Sequence, residues 1–152
     1  MVTLIEINKA ITSKIRQAIA DTEYRDIPIP ATDVTESMIR PSLKFFIEAS
    51  SNGRFNANCR EKALTCRIYF FAEDRNKYNL DNIEMQDILE TAFLDGVTVK
   101  EGFYIPVESV ESEVVDGVLI SSFDLYTLEL LPDTDTTNEI MESLNVNIGK
   151  GD

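Results

Sequence analysis

The chain has 152 residues, 43% hydrophobic and 27% charged, with no histidine and a net charge of −13. That length suits one domain with a real core. The lack of histidine excludes Ser/His and Cys/His catalytic arrangements and the commonest metal ligand, and no stretch nears the roughly 20 apolar residues of a membrane span.

The charge is uneven. Through Tyr78 there are 12 Lys/Arg against 10 Asp/Glu; from Asn79 onward there are 2 against 17. The second half therefore repels nucleic acid phosphates and anionic membranes. The N-terminus lacks the basic region and apolar run of a signal peptide, so synthesis in the cytoplasm is the expectation. Cys59 and Cys66 do not have zinc-site spacing and are expected to be reduced, half-buried thiols.

In chain order, Thr3 and Glu6 form a capping box. Leu4, Ile7, Ile11, Ile15, Ala18 and Ile19 then make one apolar stripe on a helix of about 18 residues. Residues 24–30 contain Ile27-Pro28-Ile29-Pro30, whose prolines permit only an edge strand or an extended connector. Residues 32–40 are polar and irregular. Residues 42–49 read as a strand with Leu43, Phe45, Ile47 and Ala49 on one face.

Residues 50–60 are rich in Asn, Ser and Gly and read as a loop. Arg54, Phe55 and Arg60 within it have the composition of a contact surface. Residues 62–73 form the next strand, with Leu64, Cys66, Ile68 and Phe70 facing one way and Thr65, Arg67, Tyr69 and Phe71 the other. Asp81 to Glu84 fits a second capping box, with a staple between Leu80 and Met85. Met85, Ile88, Leu89, Ala92 and Phe93 give that helix its stripe, and Gly96 follows its end.

Two short extended pieces, 97–100 and 103–106, surround Glu101-Gly102. Asp116-Gly117 between β-branched runs then predicts a hairpin with a type I′ turn. Counting outward pairs Val115 with Val118, Val114 with Leu119, Ser112 with Ser121 and Val110 with Phe123. One face carries Val110, Val114, Leu119 and Phe123; the other carries Glu111, Glu113 and Asp124. The second strand runs to about Leu131, roughly 45 Å at strand rise, so it must bend, bulge or project beyond the body. A change of facing between Leu125 and Tyr126 predicts a bulge, or burial of both faces, near there. Beyond Pro132 the chain is polar, and residues 139–146 place Ile140, Met141 and Leu144 at helical spacing.

Together these elements predict an α+β fold: a two-layer sandwich with a mixed, mostly antiparallel sheet, two helices on one face and a long hairpin near the C-terminus. The domain spans 1–131, and 132–152 is a polar tail expected to order on assembly. No catalytic set, cofactor-binding loop or metal-ligand pattern is present. Asp133 and Asp135 open like a calcium loop, but the required glycine is missing and Leu144 stands where the closing Glu belongs. Glu111, Glu113 and Asp124 read best as a solvated acidic face, and a metal-dependent hydrolase is the weaker alternative. A monomeric or dimeric adaptor binding through residues 50–60 is another.

Several strings stand in a distinctive order: the amphipathic start to Ile19, Ile27-Pro28-Ile29, Arg40-Pro41 ahead of Phe45, Tyr69-Phe70-Phe71, Val115-Asp116-Gly117-Val118-Leu119, and Met141-Glu142-Ser143-Leu144-Asn145-Val146. This order resembles the tail terminator (tail completion) proteins of phages of Gram-positive bacteria and of phage-tail-like particles. The resemblance implies a structural subunit, not an enzyme, that forms a homohexameric ring on the tail tube and ends its polymerisation. Its implied partners are the tail tube protein, a neck or collar and, in contractile tails, the sheath; DNA passes through the channel without specific binding, and no membrane is involved. On that reading Arg54, Phe55, Arg60, Asp116 and Gly117 are candidate interface residues, and Glu111, Glu113 and Asp124 are candidates for the channel wall.

Overall fold

The computed structural model describes residues 1–30 and 39–132. The expectations for residues 32–38, for the 139–146 segment and for the tail from residue 133 lie outside them. Helix α1 (Leu4–Ile19) begins at the expected capping box: the Glu6 N–H donates to Thr3 Oγ1 at 3.2 Å and the Thr3 N–H donates to Glu6 Oε1 at 2.9 Å. Its stripe buries Ile7, Ile11, Ile15 and Ile19, each worth about 1.5–3 kcal/mol of apolar burial. Leu4 stays exposed.

Residues 24–30 contain no strand and tie to the sheet through the Leu43 N–H, which donates to Pro28 O at 3.0 Å. Strands β1 (Ser42–Arg54) and β2 (Cys59–Phe71) form a long antiparallel hairpin, so most of the expected 50–60 loop is ladder. Only residues 55–58 turn. Asn56 makes that short turn possible: its Oδ1 accepts from the N–H groups of Asn58 and Cys59, both at 2.8 Å, a local bond that replaces ladder pairing at the tip.

Helix α2 (Asn79–Ala92) starts two residues before the expected capping box and has no side-chain cap at Tyr78. The carboxylates meant for capping go elsewhere: Tyr24 Oη donates to Glu84 Oε1 at 2.6 Å and lies 3.4 Å from Asp81 Oδ1. Leu80 is exposed, so the staple to Met85 does not form. A tertiary bond to the residues after α1 has outcompeted the local cap. A 3-10 turn (Phe93–Asp95) follows, and Gly96 ends it at φ 73°.

Strands β3 (Val97–Lys100) and β4 (Phe103–Ile105) make a separate two-stranded ribbon. Strands β5 (Glu111–Val115) and β6 (Val118–Leu130) complete the main sheet in the order β1-β2-β6-β5, with every pairing antiparallel among the described residues. The Asp116-Gly117 turn has φ of 52° and 81°, as a type I′ turn requires. The register Val115–Val118, Val114–Leu119 and Ser112–Ser121 holds, and the two serine hydroxyls meet at 2.9 Å. The ladder begins at Glu111–Ser122, so the expected Val110–Phe123 pair is not part of it.

No bulge interrupts β6. It pairs with β2 without a register shift from Leu119–Phe70 to Leu130–Cys59. β2 is as long as β6 and partners it throughout, so the length needs no bend; the irregularity lies in β1, between Ile47 and Ala49. The core occupies one face of the sheet, where Leu64, Cys66, Ile68 and Phe70 of β2 and Leu119, Phe123 and Leu125 of β6 meet the isoleucines of α1 and Met85 and Leu89 of α2. Both helices therefore cover that face. Cys59 and Cys66 lie on this one strand, both free, with Cys66 buried.

Candidate assembly surface

The opposite face of the sheet carries no helix among the described residues. Strand alternation decides what it shows. On β6 the outward residues are Ser122, Asp124, Tyr126, Leu128 and Leu130, and Leu130 is 75% exposed. On β2 they include Glu61, Thr65, Arg67 and Tyr69, and on β1 Phe46 and Glu48. The change of facing read from the sequence at Leu125 and Tyr126 is thus an apolar outer face left open, not a buried one.

Polar tethers cross this face. Tyr126 Oη donates to Glu61 Oε1 at 2.6 Å across β6 and β2. Tyr69 Oη donates to Glu48 Oε2 at 2.7 Å, and Arg67 Nη1 lies 3.6 Å from Glu48 Oε1. The carboxylate accepting from Tyr69 favours the neutral phenol and raises its pKa, with burial adding to the effect. Phe46 sits edge-on to the Tyr69 ring at 5.7 Å. Rigid aromatic groups with polar surrounds are the composition of a contact surface.

The acidic candidates share this face, and Asp124 directly adjoins Tyr126 in the same groove. Glu111 and Asp124 line one open groove of about 350 Å³ together with Glu108. Glu113 lies opposite Ile120, farther along β5 on the same side, and is exposed. Thr65 Oγ1 donates to Asp124 Oδ1 at 3.2 Å.

The five interface candidates divide. Phe55 is 54% exposed at the β1–β2 tip, and Arg54 beside it donates to Ala57 O at 3.0 Å. Arg60, expected in an exposed loop, is instead a side chain on the core side of β2. Its Nε donates to Glu129 Oε1 at 2.9 Å and its Nη2 donates to Val2 O at 3.0 Å, and the pair's side chains are 12% and 8% exposed. Burial pushes the Glu129 carboxyl up, yet the hydrogen bonds from Arg60 and the Val2 N–H hold it below its ordinary value. Gly117 is buried rather than projecting: Asn82 Nδ2 donates to its carbonyl at 3.2 Å and the Tyr78 ring lies against it. Only Asp116 of that turn is exposed. The β1–β2 tip and the end of β6 are thus the projecting end of the sheet, and the Asp116-Gly117 turn is the docked end.

One carboxylate cluster escaped the sequence reading. Oxygens of Glu23, Asp81 and Glu84 lie within 4.8 Å of one another around Tyr24. Burial, the Glu84 hydrogen bond and the nearby acidic charges all push the Tyr24 hydroxyl upward. Nothing in the spacing of 23, 81 and 84 could have found it, because tertiary packing brings the two helices' ends together. Among the described residues no helix is long and apolar enough to cross a membrane.

The fold is thus an α+β body with one sheet face covered by helices and the other bearing exposed apolar side chains. The family model for phage tail terminator proteins matches residues 6–138. The chain belongs to that family and is a structural component of phage tails. No curated protein matches the chain.

Proposed function

We propose that the chain assembles as a homohexameric ring that caps the tail tube, ends its polymerisation and joins it to a neck or collar. The observation that carries this reading is the family match together with the exposed stripe Tyr126, Leu128 and Leu130 on β6. A head-to-tail ring buries different patches of each subunit against its neighbours. The apolar end of the outer face and Phe55 at the β1–β2 tip fit such a contact, and residues 1–131 form the ring-building body. Virion or tail-like particle is the location, the tube protein is the first partner, and sheath contact follows if the tail contracts.

Glu111, Glu113 and Asp124 then line the bore. Their shared face and the −15 balance of the chain from Asn79 onward support this placement. A wall of carboxylates repels the DNA backbone and lets it pass. A ring structure with these three side chains directed away from the channel removes the assignment.

The test of the ring is made on particles and on the purified protein. Particles from a strain lacking this protein should show tails of uncontrolled length; tails of normal length refute a terminator role. Native mass should show six copies, alone or with tube protein present. A monomer under both conditions refutes the ring.

A further inference from the structure

Tyr126, Leu128 and Leu130 stand as an exposed ridge on the outer sheet face. The outward residues beside them are small. Ala63 is opposite Tyr126 and Cys59 is opposite Leu130 on β2, with Ser51 and Gly53 farther out on β1. On its other side β6 has no described ladder beyond Ser122, where its pairing with β5 ends. Four residue steps from Tyr126 to Leu130 give the ridge a length of about 14 Å. The charge among these described outward residues is Glu61, opposite Leu128, whose carboxylate also accepts from the Tyr126 hydroxyl at 2.6 Å.

A groove of about 820 Å³ lies between α1 and the edge strand β1. Ile5 from the helix and Phe45, Phe46 and Ile47 from the strand give it an apolar lining, and Ile5 is 67% exposed. The chain has a net charge of −13, yet the described lining holds no carboxylate; its charges are Lys9 and Arg16. Arg16 Nη1 donates to Ile27 O at 3.0 Å, which holds the guanidinium in place. From Leu4 to Arg16 the helical wall is about 18 Å long at 1.5 Å per residue, enough to take the ridge. Ridge and groove are therefore convex and concave apolar surfaces of similar length and opposite charge. One molecule cannot join its own pair, because strand alternation turns the ridge to the sheet face opposite the one α1 covers.

We propose that the Tyr126–Leu128–Leu130 ridge of one copy seats in the α1–β1 groove of a second copy, with Glu61 of the first facing Lys9 and Arg16 of the second. Each copy carries both surfaces in different places, so the contact is heterologous and repeats head to tail, as a closed ring requires. Apolar burial holds the two copies together, and the charges select the pairing. Ridge against ridge would bring two Glu61 carboxylates together, and groove against groove would bring together two sets of Lys9 and Arg16. This pairing rests on the ring proposed above and names the two surfaces that close it. It also covers the open side of an edge strand.

The test uses the full-length chain with Cys59→Ser, which leaves the buried Cys66 as its one native thiol. One variant adds Asn8→Cys at the groove and another adds Ala63→Cys beside the ridge, both at exposed positions. Assembled together under conditions where the wild type is hexameric, the two should be joined by a short bis-maleimide, and neither should be joined to itself. In a second arm, Lys9→Glu and Glu61→Lys should each lose the hexamer by native mass, and the double variant should regain it. Hexamers without the cross-link, or with links formed by one variant alone, overturn the pairing and leave the ring standing; a groove filled by the chain's own residues 31–38 gives the first of these results. A double variant that assembles no better than either single one also overturns the pairing. Wild-type monomer both alone and with tube protein overturns the ring and the pairing together.

Discussion

Asn82 on α2 donates its side-chain amide to the carbonyl of Gly117 at 3.2 Å, and the whole β5–β6 turn is thereby folded against the helix. The turn that chain-local chemistry makes most legible is a docked element. Gly117 has φ 81°, and a Cβ there would lie 3.0 Å from Tyr78 Cε2. Gly117→Ala should therefore cost about 2 kcal/mol from backbone strain and ring displacement. Asn82→Ala should cost about 1–2 kcal/mol by leaving the carbonyl unpaired. Urea unfolding should show a lower midpoint at unchanged slope for both.

Gly96 makes a sharper case. It has φ 73°, and a Cβ there would fall 2.5 Å from Tyr104 Oη and 2.6 Å from Ile105 O. The tyrosine can swing away, but the backbone carbonyl of β4 cannot. Gly96→Ala should separate the β3–β4 ribbon from the end of α2 and destabilise the fold by about 3 kcal/mol or more. A thermal melt against wild type checks this; an unchanged midpoint contradicts the geometry.

Arg60 and Glu129 predict an acid-sensitive tie. The folded pKa of Glu129 is lowered, so its stabilisation is complete above the unfolded value of about 4.3 and is lost as pH falls through the folded one. Stability measured by urea should drop as pH falls below about 4.3 in wild type, and this part of the drop should be absent in Glu129→Gln. Arg60→Ala should cost about 2–3 kcal/mol at neutral pH, because the Glu129 carboxylate stays buried without its partner.

Cys66 offers a chemical readout of the core. Burial, with a smaller contribution from the Asp124 charge, pushes its thiol up to about 12. It should resist a thiol reagent at pH 8 in the native state, since the thiolate is the nucleophile. In Cys59→Ser protein, reaction should appear only on unfolding, at the rate of global opening. Fast labelling of the native protein would mean that the sheet and helices separate readily.

The outer face should respond differently from these buried sites. Leu128→Glu and Leu130→Glu change exposed side chains and should move stability by less than about 0.5 kcal/mol. If that face is a subunit contact, the same variants should lose oligomer by native mass and fail to restore normal tail length. Retention of both properties removes this face from the assembly contact.

What the sequence alone decided was set by periodicity and by chemistry local to a few residues. The Thr3–Glu6 cap, the isoleucines of α1, the inward set of β2 and the Asp116-Gly117 turn all rest on such local rules, and each stands as read. The family resemblance was legible for a related reason: the order of short strings survives in the linear chain, and the match to residues 6–138 agrees with it. Tertiary structure decided the rest. Tyr24 drew Asp81 and Glu84 away from their cap. Residues 50–54 became ladder because β2 was long enough to pair with them. Arg60 turned to the core side and met Glu129, while Tyr126, Leu128 and Leu130 were left outside. Alternation along a strand tells which residues share a face, but not which face a helix will cover. That depends on packing between segments far apart in sequence, and it is what divides this chain into a closed core and an open surface.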